Sequence, residues 1–142
     1  MIRPSYFLIL SLLFSCTSAP EKKENNYTSE QVSQKKSLIR DVMAVHDEAM
    51  PWLDEIHNLK EELRNVTEEV NDSLKDTHTN AAKILEGADE AMMGWMRAYS
   101  EPHDTVQFQV AIEYLNQEKN KISTVRTQMK SALENAKNVL NK

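Results

Sequence analysis

The chain holds one cysteine, two glycines and four prolines among its 142 residues. A single cysteine excludes a disulfide within one chain, and with it the crosslinked frameworks of many small secreted domains. It also excludes Cys-x-x-Cys zinc and redox motifs and a Cys-x-x-Cys-His haem attachment. Two glycines are too few for a Gly-rich phosphate loop, and no His-Glu-x-x-His zinc motif occurs. Basic side chains are outnumbered by acidic ones, 17 to 22, which gives a formal charge of −5. Such a balance disfavours nucleic acid and anionic lipid as partners, because both need a basic patch. No segment alternates apolar and polar residues with the period of a strand.

What is present begins at Cys16. This cysteine closes the string Leu13-Phe14-Ser15-Cys16, directly after an apolar run from Tyr6 to Leu13 that Arg3 precedes. A short positive region, an apolar region and a small residue before a cleavage point make a secretory signal. The run rises only about 12 Å as a helix, against a hydrocarbon layer of about 30 Å, so it is too short to span. Leu13 three residues before Cys16, and Ser15 just before it, resemble the lipobox of bacterial lipoproteins. That resemblance implies cleavage before Cys16 and acylation of its thiol. The acyl chains would then hold the protein to a membrane surface without a transmembrane helix. Residues 1–15 carry one charge, Arg3, so the processed chain keeps 16 basic and 22 acidic side chains, net −6. No Asp follows Cys16, which points away from inner-membrane retention and towards an outer membrane. Residues 16–29 offer almost nothing to bury and are expected to form a flexible, lipidated tether.

From residue 30 to 142 the apolar pattern is helical. Leu38, Val42, Val45, Ala49, Trp52, Ile56, Leu59, Leu63, Val66 and Val70 follow alternating steps of four and three, a heptad seam. A second run reads Thr77, Ala81, Ile84, Ala88, Ala91, Trp95 and Ala98. Phe108, Ala111, Leu115, Glu118, Ile122, Val125, Met129, Ala132, Ala136 and Val139 make a third, with Glu118 its one polar member. Asn71-Asp72-Ser73 and Asp76 to Asn80 favour caps and turns, which places a turn within 67–80. Glu101-Pro102 breaks the chain again. The expected fold is all-α, an up-down-up antiparallel three-helix bundle with coiled-coil-like seams. A homodimer stays open. Pro51 removes one backbone hydrogen bond inside the first seam and should kink it. Gly94 is expected to permit close helix approach beside Trp95.

Methionine carries the one chemical lead. Met43, His46 and Met50 share a helix face, and Met92 and Met96 sit near the end of the second helix. In a hairpin turning near residue 71, Met50 lies level with Met92 and His46 with Met96; a turn a few residues later brings Trp52 level with Trp95, and either way the two groups meet. Thioethers and imidazole select monovalent copper or silver, so these five residues are candidate Cu(I) ligands. Filling an irregular core around two tryptophans is the commoner use of methionine at this spacing. Asp54 stands three before His57 where a di-metal carboxylate protein has Glu, and the motif occurs once. No catalytic acid–base pair emerges, and no enzymatic activity is expected.

Val45-His46-Asp47-Glu48-Ala49-Met50-Pro51, with Leu59-Lys60-Glu61-Glu62-Leu63, resembles the first helix of small helical lipoproteins of Bacteroidota. Ala88-Asp89-Glu90-Ala91-Met92-Met93-Gly94-Trp95-Met96 resembles their second. Some members carry the automatic label "viral A-type inclusion protein". The resemblance implies a helical envelope lipoprotein and brings no activity, cofactor or site residue with it. The expected role is a structural or interaction module of the cell envelope with an envelope protein as partner, and a soft-metal binder or sensor is the rival.

Overall fold

A computed structural model describes residues 27–69 and 71–141. The signal segment, Cys16, most of the tether and Val70 lie outside the described residues. The regular structure of those described is all helical, without a strand, in three helical arms packed against one another. The first arm is α1 (Ser29–Ala49) and α2 (Trp52–Glu69), the second α3 (Asp72–Ala98), the third α4 (Phe108–Leu140). Among the described residues no helix is long and apolar enough to cross a membrane.

Each boundary has a local cause. Thr28 accepts from the Gln31 amide while the Gln31 side chain accepts from the Thr28 amide, a capping box that starts α1. The fold therefore begins before Glu30, the first residue past the expected tether. Tyr27 packs edge-on against Phe108 at 5.4 Å and donates its hydroxyl to the Val106 carbonyl. Pro51 divides α1 from α2. Lacking an N–H, it cannot donate to the Asp47 carbonyl, and the Leu53 amide turns to the Met50 carbonyl at 3.1 Å. Asn71 caps α3 by accepting from the Leu74 amide at 3.2 Å. α2 ends at Glu69 and α3 starts at Asp72, so the break falls inside the expected window. α3 ends at Ala98, three residues before Glu101-Pro102.

Cross-links between arms give the directions. Asp41 pairs with Lys119, Glu48 with Arg126 and Glu55 with Lys137, at 2.5–2.8 Å. Both numbers rise together, so the first arm runs parallel to α4. Lys60 pairs with Glu86, and Gln128 donates to the Gly87 carbonyl while Trp95 reaches Glu118. There the numbers run oppositely, so α3 is antiparallel to both. These exposed ion pairs contribute little stability each. The core does that work: Val42, Ile56 and Leu63 meet Leu85, Met92, Ile122 and Met129, all fully buried.

The second arm departs from expectation. His78, Ala81, Leu85, Ala88, Met92 and Trp95 are buried, whereas Thr77, Ile84 and Ala98 are exposed and Ala91 is half-buried. The inward stripe is rotated by one residue from the predicted run and shares only Ala81, Ala88 and Trp95 with it. Gly94 is not a point of close helix approach either, since a side chain added there would meet only the Arg97 guanidinium, at 3.9 Å.

Candidate functional site

A column of aromatic rings crosses the bundle at the level of α1's last turns. His46 on α1 lies 5.6 Å from Trp95 on α3, and Trp95 stacks on Tyr99 at 4.9 Å. Tyr99 stacks in turn on Tyr114 of α4 at 6.4 Å. Trp95 donates its indole N–H to Oε2 of Glu118 at 2.9 Å, and Lys121 donates to Oε1 at 2.7 Å. Glu118, the polar member of the third predicted run, is 3% exposed. Both its oxygens are engaged, as a buried carboxylate requires. The Glu118 carboxylate also holds the Lys121 ammonium above its ordinary range, through the hydrogen bond first and its charge second.

Tyr99 carries an unmet need. Its hydroxyl is buried without a hydrogen-bond partner among the described residues. Burial pushes the phenol's pKa up, with the charges of Glu101, Tyr114 and Glu118 adding to the effect. The neutral phenol is therefore the form the fold favours. Its contribution is complete below the ordinary value of about 10 and is lost as pH rises through the folded value. Tyr99→Phe removes the orphan hydroxyl and keeps the stack. It should gain up to about 1 kcal/mol at neutral pH and soften alkaline unfolding above pH ~10, read by urea titration at both pH values. A loss at neutral pH would show that the hydroxyl has a partner.

Of the five candidate soft ligands, only His46 belongs to this column. Met92 is sealed in the core, Met43 and Met50 pack half-buried against it, and Met96 is exposed. His46 is half-buried and donates from Nδ1 to Asp47 at 2.8 Å, which leaves Nε2 as its free ring nitrogen. His46 lies against Trp95, as a turn near residue 71 implies, whereas the Lys60–Glu86 pair fits a turn a few residues later. Trp52 is half-buried against the core and borders a shallow groove with Glu48, Arg126 and Lys130. Among the described residues no three His, Cys, Asp or Glu side chains gather where they could hold a metal ion. Methionine thioethers are a separate, softer ligand set.

Two buried polar residues escaped the pattern reading. Lys35, 5% exposed, donates to Asp104 at 2.7 Å and lies 5.9 Å above the Tyr27 ring. Its hydrogen bond and charge hold the Asp104 carboxyl below its ordinary range. Lys35 stands three residues before Leu38, so extending the first seam backwards finds it. His78 is buried where the seam of α3 begins, with Nδ1 unpartnered. It faces a cleft of about 500 Å³ between α2 and α3, bounded by Lys60, Arg64, Thr67, Ala82 and Glu86. None of the predicted ligands borders that cleft. No protein family, curated protein or solved structure matches this chain.

Proposed function

We propose that this protein is a lipid-anchored module of the bacterial cell envelope that acts by presenting a helical face to a protein partner. One observation carries the role. The core closes on its own, yet Ile84, Met93 and Met96 on α3 and Val110 on α4 stay exposed. An exposed apolar patch outside a finished core marks an interaction surface. The anchor rests on the lipobox-like string ending at Cys16 and on the resemblance to helical envelope lipoproteins. In this picture residues 1–15 are a signal peptide and Cys16 is acylated. A short tether then leads to coiled-coil-like seams facing the periplasm or the cell surface from an outer membrane. The module is non-catalytic: its buried carboxylate, Glu118, is committed to Trp95 and Lys121 rather than offered to a substrate.

Cys16→Ser should abolish acyl labelling and release the protein from membranes, and labelling that persists would refute the anchor. A photo-crosslinker at Ile84 or Met96 should give a protein adduct on intact cells that one at Glu134, on the polar outside of α4, does not. No adduct at either apolar position would refute the docking role.

A Cu(I) or Ag(I) binder is the second candidate, favoured by Met43 and Met50 packing against the core that contains Met92. At a hundredfold excess over Kd, metal should stabilise the fold by about 2.7 kcal/mol, seen as a raised melting temperature. Met50→Leu and Met92→Leu should abolish the shift while costing under about 1.5 kcal/mol in packing. An unchanged melting temperature with both metals disposes of the site.

A further inference from the structure

The outer flank of α3 carries charges that the rest of the fold does not use. Asp76, Lys83, Glu90 and Arg97 recur every seven residues, alternate in sign and are all exposed. Residues at that interval line one side of a helix. Among the described residues none of the four has an ion pair or a hydrogen bond. By contrast, Asp41, Glu48, Glu55 and Lys60 each reach across to a neighbouring helix. Beside the flank run Ile84, Gly87, Ala91, Gly94 and Ala98, exposed or half-buried. A side chain added at Gly87 would meet nothing within 4 Å. Packing inside one copy therefore does not require glycine there, although glycine weakens a helix relative to alanine.

We propose that α3 forms the interface of an antiparallel homodimer, with Asp76 and Lys83 of one copy pairing with Arg97 and Glu90 of the other. The proposal rests on the reading of the protein as an interaction module and names its partner, a second copy of this chain.

The charge order selects both the partner and the register. In an antiparallel pair, the residues that meet have numbers adding to a constant. Asp76 with Arg97 and Lys83 with Glu90 both add to 173, so one register satisfies all four charges. Two-fold symmetry then repeats each pair, as an isologous interface demands. A shift of seven either way sets Lys83 against itself and Asp76 against Glu90, or Glu90 against itself and Lys83 against Arg97. Like charges so placed oppose association. A parallel pair would point the flank at Ala81, Ala88 and Trp95, which are buried in the core. In the favoured register the axis falls between residues 86 and 87. Gly87 then crosses its own copy at the point of closest approach, where its missing side chain leaves room for Ile84. The overlap takes in nearly all 27 residues of α3.

The test is sedimentation of the protein as isolated from cells, in density-matched detergent so that any acyl chain does not count. Wild type should sediment as two chains. Lys83→Glu alone and Glu90→Lys alone should each weaken the dimer by about tenfold or more, since each sets like charges together twice. An equal mixture of the two variants should restore it, because every pair in the mixed dimer is again opposite in sign. Both positions are exposed and unpaired, so an unchanged melting curve in dilute solution verifies that each variant folds. A single-chain mass for wild type at every concentration overturns the proposal, as do charge reversals without effect or a mixture that stays dissociated. The module reading fails separately. A monomeric wild type whose Ile84 crosslinks to a different polypeptide loses the homodimer and keeps the docking role, while one with no adduct loses both.

Discussion

Trp95→Ala should destabilise the fold by about 3–5 kcal/mol, the largest effect expected of any single truncation. The ring is buried between His46 and Tyr99 and joins α1, α3 and α4 through one side chain. Truncation removes that apolar area, opens a cavity and strips Glu118 of its buried donor at once. Two milder variants separate the parts. Trp95→Phe keeps an aromatic ring but leaves Oε2 of Glu118 without the indole N–H, and should lose about 1–3 kcal/mol. Glu118→Gln keeps an acceptor for the indole and should lose about 1 kcal/mol or less. If the pair acts as a unit, Trp95→Phe with Glu118→Leu will lose less than the sum of the two singles. Urea titrations of the set decide it. A Trp95→Ala loss under about 1 kcal/mol would mean that the ring is not a core element.

Much of this architecture is legible in the residues because its signals are local. Thr28 with Gln31, Asn71, Pro51 and Pro102 each act on their own few residues of backbone, and the helices start, kink or stop near them. The third helix was readable for another reason. Its long apolar run keeps one phase, so Ala111, Leu115, Ile122, Met129, Ala132 and Ala136 are all buried as periodicity implies, and Val110, off that phase, is exposed. Long-range pairing was less readable. Glu118 and Trp95 both belong to predicted runs, but their meeting depends on the path of the loop at residues 99–107, which periodicity does not encode. Lys35 was missed as a polar residue on the phase of the first seam, and His78 because the predicted α3 run lies one residue off the inward stripe.

Leu85→Ala and Ile84→Ala form a neighbouring pair with opposite expected outcomes. The sequence pattern places Ile84 inside and leaves Leu85 out, because α3 carries two apolar phases side by side. Ala81, Ala88 and Trp95 are common to both phases, so hydrophobic spacing alone cannot choose between them. Side-chain volume is the feature that separates them. The inward phase adds Leu85 and Met92, which can fill a core, whereas the other adds Ile84 with the small Ala91 and Ala98. Leu85 is 0% exposed and Ile84 is 39% exposed. Leu85→Ala should therefore lose about 2–5 kcal/mol, the range for a buried leucine whose cavity only partly collapses. Ile84→Ala should change the fold by no more than about 0.5 kcal/mol, as for a surface position. Both belong in dilute solution, where self-association does not add to the folding free energy. At high concentration Ile84→Ala should weaken the dimer instead, so the two residues separate folding from docking on one helix. A large folding loss from Ile84→Ala in dilute protein, with a small one from Leu85→Ala, would reverse the assignment of α3 and return the predicted run to the core.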